Sequence, residues 1–324
     1  MKSAAISEVY GLPLNAGQGV PVSPRAEVHL LLGNKGKVGP RLAALWTACF
    51  IVALLAVAAP AAEVGRGEAK HVVMVVWDGM RPDLITPQYT PTLYALARGG
   101  TFFKNHHPVF PSTTEVNGTA LATGVYPNRN GIAANNDYRP ELSFLGGLPT
   151  EGLDNIRRAD MLTGGRYLLA PTLAEILQGA GFPTVIAGTK PVVLLHDRAP
   201  RSDSTVPTES VVLFAGQTLP KSVLKKAEKA NDNKKFPATN STPNTEKDSW
   251  TTKALLGELW KPKVPAFTLL WLYEPDSTQH GEGVGSDLAM AGVASSDKNL
   301  EEVLKTLEEK KLRDRKSTRL NSSH

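Results

Sequence analysis

HVVMVVWD at 71–78 is a continuous apolar, β-branched run that ends abruptly in Asp78-Gly79. It lacks the alternation of a strand with one wet face, so it predicts a strand covered on both sides, as in a largely parallel sheet. AFTLLWLY at 266–273 has the same character and also leads into a carboxylate, Asp276. PTLAEILQGAG at 171–181, followed by TVIAG at 184–188, reads as helix, glycine stop and strand. Thr90-Pro91 caps a short helix bearing Leu93, Leu96 and Ala97 and closed by Gly99-Gly100. NLEEVLKTLEEKKL at 299–312 predicts a last helix with Leu300, Val303, Leu304 and Leu307 on one face. Glu301 and Glu302 at its start and Lys310 and Lys311 at its end would suit the helix dipole. Strands alternating with helices imply an α/β sandwich around a largely parallel central sheet. Residues 199–250 are polar and rich in Lys, Asn, Thr and Pro, and predict an excursion from the core, as a surface subdomain or a long loop.

The two ends read differently from this body. Arg41 opens LAALWTACFIVALLAVAAPAAEV, a basic flank, an apolar core and an Ala-Pro-Ala-Ala exit at 59–62, the make-up of a secretory signal peptide over 41–62. A membrane anchor is the alternative, since the run is about long enough to span a bilayer. Residues 1–40 precede a sensible signal start and suggest an over-called start codon. The tail DRKSTRLNSSH at 314–324 is similar to a translated sequencing adapter, so the body is expected to be 63–313. The excess of five positive charges falls at the ends, three in 1–62 and two in 314–324, which removes any basic nucleic-acid footprint from the body. One cysteine, Cys49, excludes disulfide scaffolds and Cys-ligated metal sites. These features point to a secreted or periplasmic protein that meets the membrane only through its signal segment. They leave its oligomeric state open.

In open α/β sheets functional groups gather at the carboxyl ends of strands. Asp78 and Asp276 are both placed there, and His280 follows Asp276 at a spacing that lets both face one ion if the segment turns helically. Between them FPSTTEVNG runs from an extended stretch into a helix starting near Thr114. A hydroxyl there meets the free N–H groups and positive end of the helix, a natural seat for a phosphoryl group. Singly, each has a plainer use: Asp78-Gly79 as a turn, Thr114 as a helix cap, Asp276 and His280 as loop residues. His106-His107 is a weaker metal candidate, because adjacent residues on a strand point apart.

Together they resemble the nucleotide pyrophosphatase/phosphodiesterase family of the alkaline phosphatase superfamily. The resemblance is carried by VVWDGMRPD at 75–83, TPTLYALARGGTFFKNHHPVFPSTTEVNG at 90–118, LATGVYPNRNGIAANN at 121–136 and EPDSTQHGEGVGS at 274–286. It implies an alkaline-phosphatase-like α/β/α sandwich, incomplete at its C-terminal side, and two zinc ions. Asp78 and the nucleophile Thr114 would meet one zinc, Asp276 and His280 the other, and Asn135 would hold a non-bridging substrate oxygen. It also implies in-line phosphoryl transfer through a phosphothreonine, on a small phosphate ester or nucleotide. The family's second Asp-His pair and its final zinc histidine have no match here, so the ligand set is expected to be incomplete. The faces of TVIAG and AFTLLWLY are correspondingly expected to lack cover.

The family's Thr-Phe-Pro-Asn-His is Thr114-Glu115-Val116-Asn117-Gly118 here, which keeps the nucleophile and obscures the leaving-group pocket. Thr113 is an adjacent competitor. A phosphonate hydrolase of the same superfamily is the alternative activity, with Lys190 in AGTKP meeting a substrate carboxylate. A binding module or inactive fragment is the non-enzymatic alternative. A sulfatase is disfavoured, because the Cys/Ser-x-Pro-x-Arg nucleophile motif is absent.

Overall fold

The computed structural model describes residues 69–199 and 209–313, with the backbone of 319–321. The proposed signal segment and residues 1–40 lie outside the described residues.

In chain order the elements are β1 (Val72–Trp77), α1 (Pro91–Gly99), β2 (Thr101–Phe103), α2 (Thr114–Thr123), α3 (Pro127–Asn130), β3 (Asn136–Asp137), β4 (Leu148–Pro149), α4 (Leu153–Thr163), α5 (Leu173–Gly179) and β5 (Thr184–Gly188). They continue with β6 (Val211–Phe214), β7 (Gln217–Leu219), α6 (Leu224–Lys229), α7 (Thr245–Ala254), β8 (Phe267–Leu272), α8 (Asp276–Glu282), α9 (Asp287–Glu309) and β9 (Arg319–Asn321). Five of the described strands form a sheet ordered β1-β8-β5-β6-β7, in which β1, β8, β5 and β6 pair in parallel and β7 returns antiparallel, while β2 pairs with β9 and β3 with β4.

β8 lies between β1 and β5 and explains the layering. Leu269 and Trp271 face a core shared with Val116 of α2 and with Ile186, Val192 and Leu194. Leu270 and Leu272 face the opposite core, with Trp250, Leu255, Trp260 and Val303. The period of two in a strand thus feeds helices on both sides of the sheet. Each such large apolar side chain, once buried, stabilises the fold by about 1.5–3 kcal/mol.

Several expectations need correction. β5 and β8 are buried along their whole length, so TVIAG and AFTLLWLY are covered after all. β1 is only half-buried, with Val72 47% exposed, because it forms an edge among the described strands. The polar stretch expected to leave the core instead returns to it, as β6 beside β5, α6, and α7 with buried Trp250 and Ala254. The last helix begins at Asp287, not near 299, with the Ser286 hydroxyl accepting from the Ala289 N–H, so Glu301 and Glu302 fall mid-helix. Asp287 is the acid that meets its positive end. Thr90 does not cap α1: its hydroxyl donates to the Thr86 carbonyl, while Asp297 of α9 accepts from the Thr92 and Leu93 N–H groups at 3.0 and 2.9 Å. In the tail, β9 runs parallel to β2, where no structure was expected.

Candidate active site

Because β1, β8 and β5 are adjacent and parallel, the chain leaves all three at the same edge. Asp78 follows β1, Asp276 follows β8 after Tyr273-Glu274-Pro275, and Lys190 follows β5. Gly79 permits the tightest approach: its φ is +70°, and a Cβ there would lie 2.8 Å from the Asp276 Cα. The Asp276 N–H donates to the Asp78 carbonyl at 3.0 Å, so the two acidic segments are joined through their backbones.

The nucleophile candidate arrives from above this edge on α2. Thr113 is the residue at the helix N-cap and Thr114 is the first helical residue, and neither side chain caps the helix. Asn117 ties the approach segment down: its Oδ1 accepts from the Val109 N–H at 2.8 Å and its amide donates to the Thr113 carbonyl at 3.1 Å. Asn135 Oδ1 accepts from the Glu115 N–H at 3.3 Å, which sets it beside the first turn of α2.

Lys190 joins these pieces. Its ammonium lies 2.8 Å from Asp78 Oδ2, 3.1 Å from Asp276 Oδ2 and 3.5 Å from Thr114 Oγ1, and 4.9 Å from the centroid of the Tyr273 ring. Burial opposes its charge, but the Asp78 and Asp276 carboxylates outweigh burial and raise its pKa. Asp78 is 8% exposed, and burial raises its pKa despite the lysine. The Trp271 indole N–H donates to the same Asp78 oxygen at 3.2 Å. His280 Nε2 stands 3.3 Å from Asp276 Oδ1 on α8, as the four-residue spacing anticipated, with its side chain 82% exposed.

Asp78, Thr114, Lys190, Asp276 and His280 therefore converge, and Asn135, just before β3, meets the first turn of α2 through the Glu115 N–H. His106 is not among them: it follows β2, where burial and then His107 lower its pKa. Three features escaped the sequence reading. Glu115 and Glu151 face each other in the interior beside Thr114; burial raises both carboxyls, Glu151 to about 8, and each keeps one buried oxygen with no hydrogen-bond partner. Asp248 of α7 accepts from the Tyr273 and Glu274 N–H groups at 2.7 and 3.0 Å, holding the segment that presents Asp276. Trp271 couples Asp78 to α2, since its ring lies against Gly118, where a Cβ would sit 3.3 Å from Trp271 Cη2. Glu115 stood out only as a departure from the motif, and the other partners are far apart in sequence.

Two zinc ions would need more donors than this site brings together. Asp78 and Thr114 for one ion, and Asp276 and His280 for the other, give each half of a tetrahedral shell. Among the described residues no group of three or more His, Cys, Asp or Glu could hold a metal ion. The residues present do not fit a two-zinc centre.

A model of the type I phosphodiesterase / nucleotide pyrophosphatase family matches residues 72–324. An uncharacterized pyrophosphatase/phosphodiesterase of Schizosaccharomyces pombe is 36% identical over 69 residues, covering 21% of this chain and 14% of that protein. The venom phosphodiesterase of Crotalus durissus collilineatus is 23% identical over 252 residues, 76% of this chain and 25% of that protein. The chain thus spans a minor part of these relatives' length. Two solved structures share the fold: phosphonoacetate hydrolase from Sinorhizobium meliloti with phosphonoacetate, and murine ectonucleotide pyrophosphatase/phosphodiesterase 5, an inactive threonine-to-alanine form with AMP. Their TM-scores are 0.52 and 0.51 at 19% identity, covering 74% and 75% of this chain and 54% of each structure.

Proposed function

Because this chain belongs to the type I phosphodiesterase/nucleotide pyrophosphatase family, we propose that it hydrolyses phosphate esters or anhydrides of small molecules, with Thr114 as the nucleophile. One observation carries the reading: the Thr114 hydroxyl, at the first position of α2, shares the Lys190 ammonium with Asp78 and Asp276. The inactive threonine-to-alanine form of the murine relative agrees with a threonine in this role.

A phosphoryl group seated at the start of α2 meets free N–H groups and the positive helix end. Thr114 Oγ forms a bond to phosphorus as the bond to the leaving oxygen breaks, and the hydroxyl proton passes through solvent to that oxygen. The Lys190 ammonium offsets the charge that gathers on Thr114 Oγ and the phosphoryl oxygens, an electrostatic contribution that is large in a site this poorly exposed to water. Asn135, whose Oδ1 accepts from the Glu115 N–H, braces the turn that carries Thr114, and its amide is the group proposed to hold a non-bridging oxygen. Water then attacks the phosphothreonine, the Oγ–P bond breaks and one proton of that water returns to Thr114.

Secretion belongs to the same proposal and is supported by the apolar segment at 41–62. Among the described residues no helix is long and apolar enough to cross a membrane. Cleavage of a phosphonate is the second reading, favoured by the placement of the Lys190 ammonium 3.5 Å from the Thr114 hydroxyl. Turnover of bis(p-nitrophenyl) phosphate, with phosphonoacetate in parallel, tests the pair. Diester hydrolysis lost in Thr114→Ala supports the first reading, whereas turnover of phosphonoacetate alone supports the second.

A further inference from the structure

The pairing of β5 with β8 stops just short of the site, and one side chain takes over where it stops. Gly188 lies opposite Trp271, and the Thr189 N–H still donates to the Trp271 carbonyl at 3.0 Å. Tyr273 and Glu274 have already left the sheet, and their N–H groups donate instead to Asp248 Oδ1 and Oδ2, at 2.7 and 3.0 Å. The Thr189 hydroxyl donates to the same carboxyl. Asp248 lies in the first turn of α7 and is buried. A single buried carboxyl thus holds both the residue before Lys190 and the segment that leads to Asp276. Glu274 carries this brace onward. Its buried side chain accepts from the Asn244 N–H at 2.8 Å and from the Thr278 N–H, in the first turn of α8, at 3.3 Å. Its carbonyl accepts from the Ser296 hydroxyl of α9 at 3.1 Å.

We propose that Asp248 is a positioning residue of this site: its carboxyl ties the exits of β5 and β8 together and so sets Lys190 against Asp276 and the Thr114 hydroxyl. Its kinetic consequence alone rests on the phosphoryl-transfer reading. The Tyr273 and Glu274 N–H groups have no strand partner, and a buried N–H without an acceptor is costly, so the loop cannot drift from Asp248 without orphaning both. A carboxyl serves two donors at once, whereas an amide has one acceptor oxygen and would turn its own N–H toward the second donor. The pattern therefore requires an acid at 248. Asp276 is already tied to the end of β1, since its N–H donates to the Asp78 carbonyl and the Gln279 amide donates to the Gly79 carbonyl. What remains to be fixed is where the end of β5 sits against that pair, and Asp248 fixes it through Thr189. The Lys190 ammonium must meet Asp78 at 2.8 Å, Asp276 at 3.1 Å and the Thr114 hydroxyl at 3.5 Å from three separate segments. A misplacement on the order of 1 Å at such a centre costs on the order of 100-fold in rate.

The test compares the natural chain with Asp248→Ala, Asp248→Asn and Ala254→Gly, the last weakening the same helix at a buried position away from the strand exits. Crystal structures give the lysine contacts, urea unfolding gives stability, and hydrolysis of bis(p-nitrophenyl) phosphate gives kcat and KM. In Asp248→Ala the Lys190 ammonium is expected to lose hydrogen-bond distance to at least one of the two aspartates. Its kcat should fall by about 10–100-fold with KM little changed. Asp248→Asn, which keeps one of the two acceptors, should fall between the alanine variant and the natural chain. Ala254→Gly should lose stability and keep kcat. If Asp248→Ala does not fold, the asparagine variant is read by the same contacts and the same kinetic split. Both lysine contacts retained, an unchanged kcat, or an equal loss of kcat in Ala254→Gly overturns the proposal. Should the natural chain itself turn over no diester, the hydrolase reading fails and the lysine contacts alone decide this one.

Discussion

Gly118 lies inside α2, one turn beyond Thr114, and its side-chain space is already taken. A Cβ there would stand 2.7 Å from Val192 Cγ2 and 3.3 Å from Trp271 Cη2, both on fully packed side chains. Alanine is the better helix former by about 1 kcal/mol. Overpacking of this kind costs about 1–3 kcal/mol. The clash with a β-branched, buried Val192 has little room to relax, so the second effect should win and Gly118→Ala should lose about 1–2 kcal/mol. Relief by moving α2 or Trp271 would also disturb the Trp271–Asp78 hydrogen bond and the position of Thr114, so turnover should fall more than stability. Val192→Ala removes the atom struck first, and the double variant should recover stability relative to the sum of the two single changes. Urea unfolding of the four proteins, with diester turnover alongside, measures both effects. A Gly118→Ala variant more stable than the natural chain, or strict additivity with Val192→Ala, would refute this packing argument.

Other outcomes follow from the same geometry. Gly79→Ala should cost at least about 1–2 kcal/mol from the left-handed backbone alone, and should part Asp78 from Asp276, seen as lost stability in urea unfolding. Burial raises the Asp248 carboxyl to about 6, so between its unfolded value near 4 and pH 6 the native state holds a proton that the unfolded chain has released. This group's contribution to stability therefore falls as pH rises through that window, by about 3 kcal/mol, and Asp248→Asn should flatten that part of the profile in urea unfolding at pH 4 and pH 7. Trp271→Phe keeps most of the packing and removes the donor to Asp78 Oδ2, so it should lower turnover with an unfolding midpoint close to that of the natural chain. The mature N-terminus should lie near Glu63, and N-terminal sequencing of exported protein finding a start before Leu42 would contradict the signal segment.

How much of this was legible depended on whether the partners were near in sequence. Asp78, Thr114 and the Asp276–His280 pair could be read because strand ends, a helix start and a four-residue spacing are local signals. Lys190 was visible as a strand-end lysine, but its bridge between two aspartates 112 and 86 residues away was not. Asp248, Trp271 and Asp297 act on backbone or side-chain groups that only the folded sheet and helices bring near. β6 escaped notice because VVLF is a short apolar run inside a polar stretch, and its burial comes from pairing with β5. The early start of α9 was missed because DLAMAGVASSDKN carries small residues instead of a leucine stripe, and its buried Gly292 fits against the Glu274 side chain.

The central claim is that Thr114 receives the phosphoryl group. The direct measurement is peptide mass mapping of protein quenched in acid during turnover of bis(p-nitrophenyl) phosphate. A phosphoryl adduct on Thr114, absent in Thr114→Ala, is the result expected. An adduct on Thr113, or undiminished turnover by Thr114→Ala with no adduct on either threonine, would contradict it.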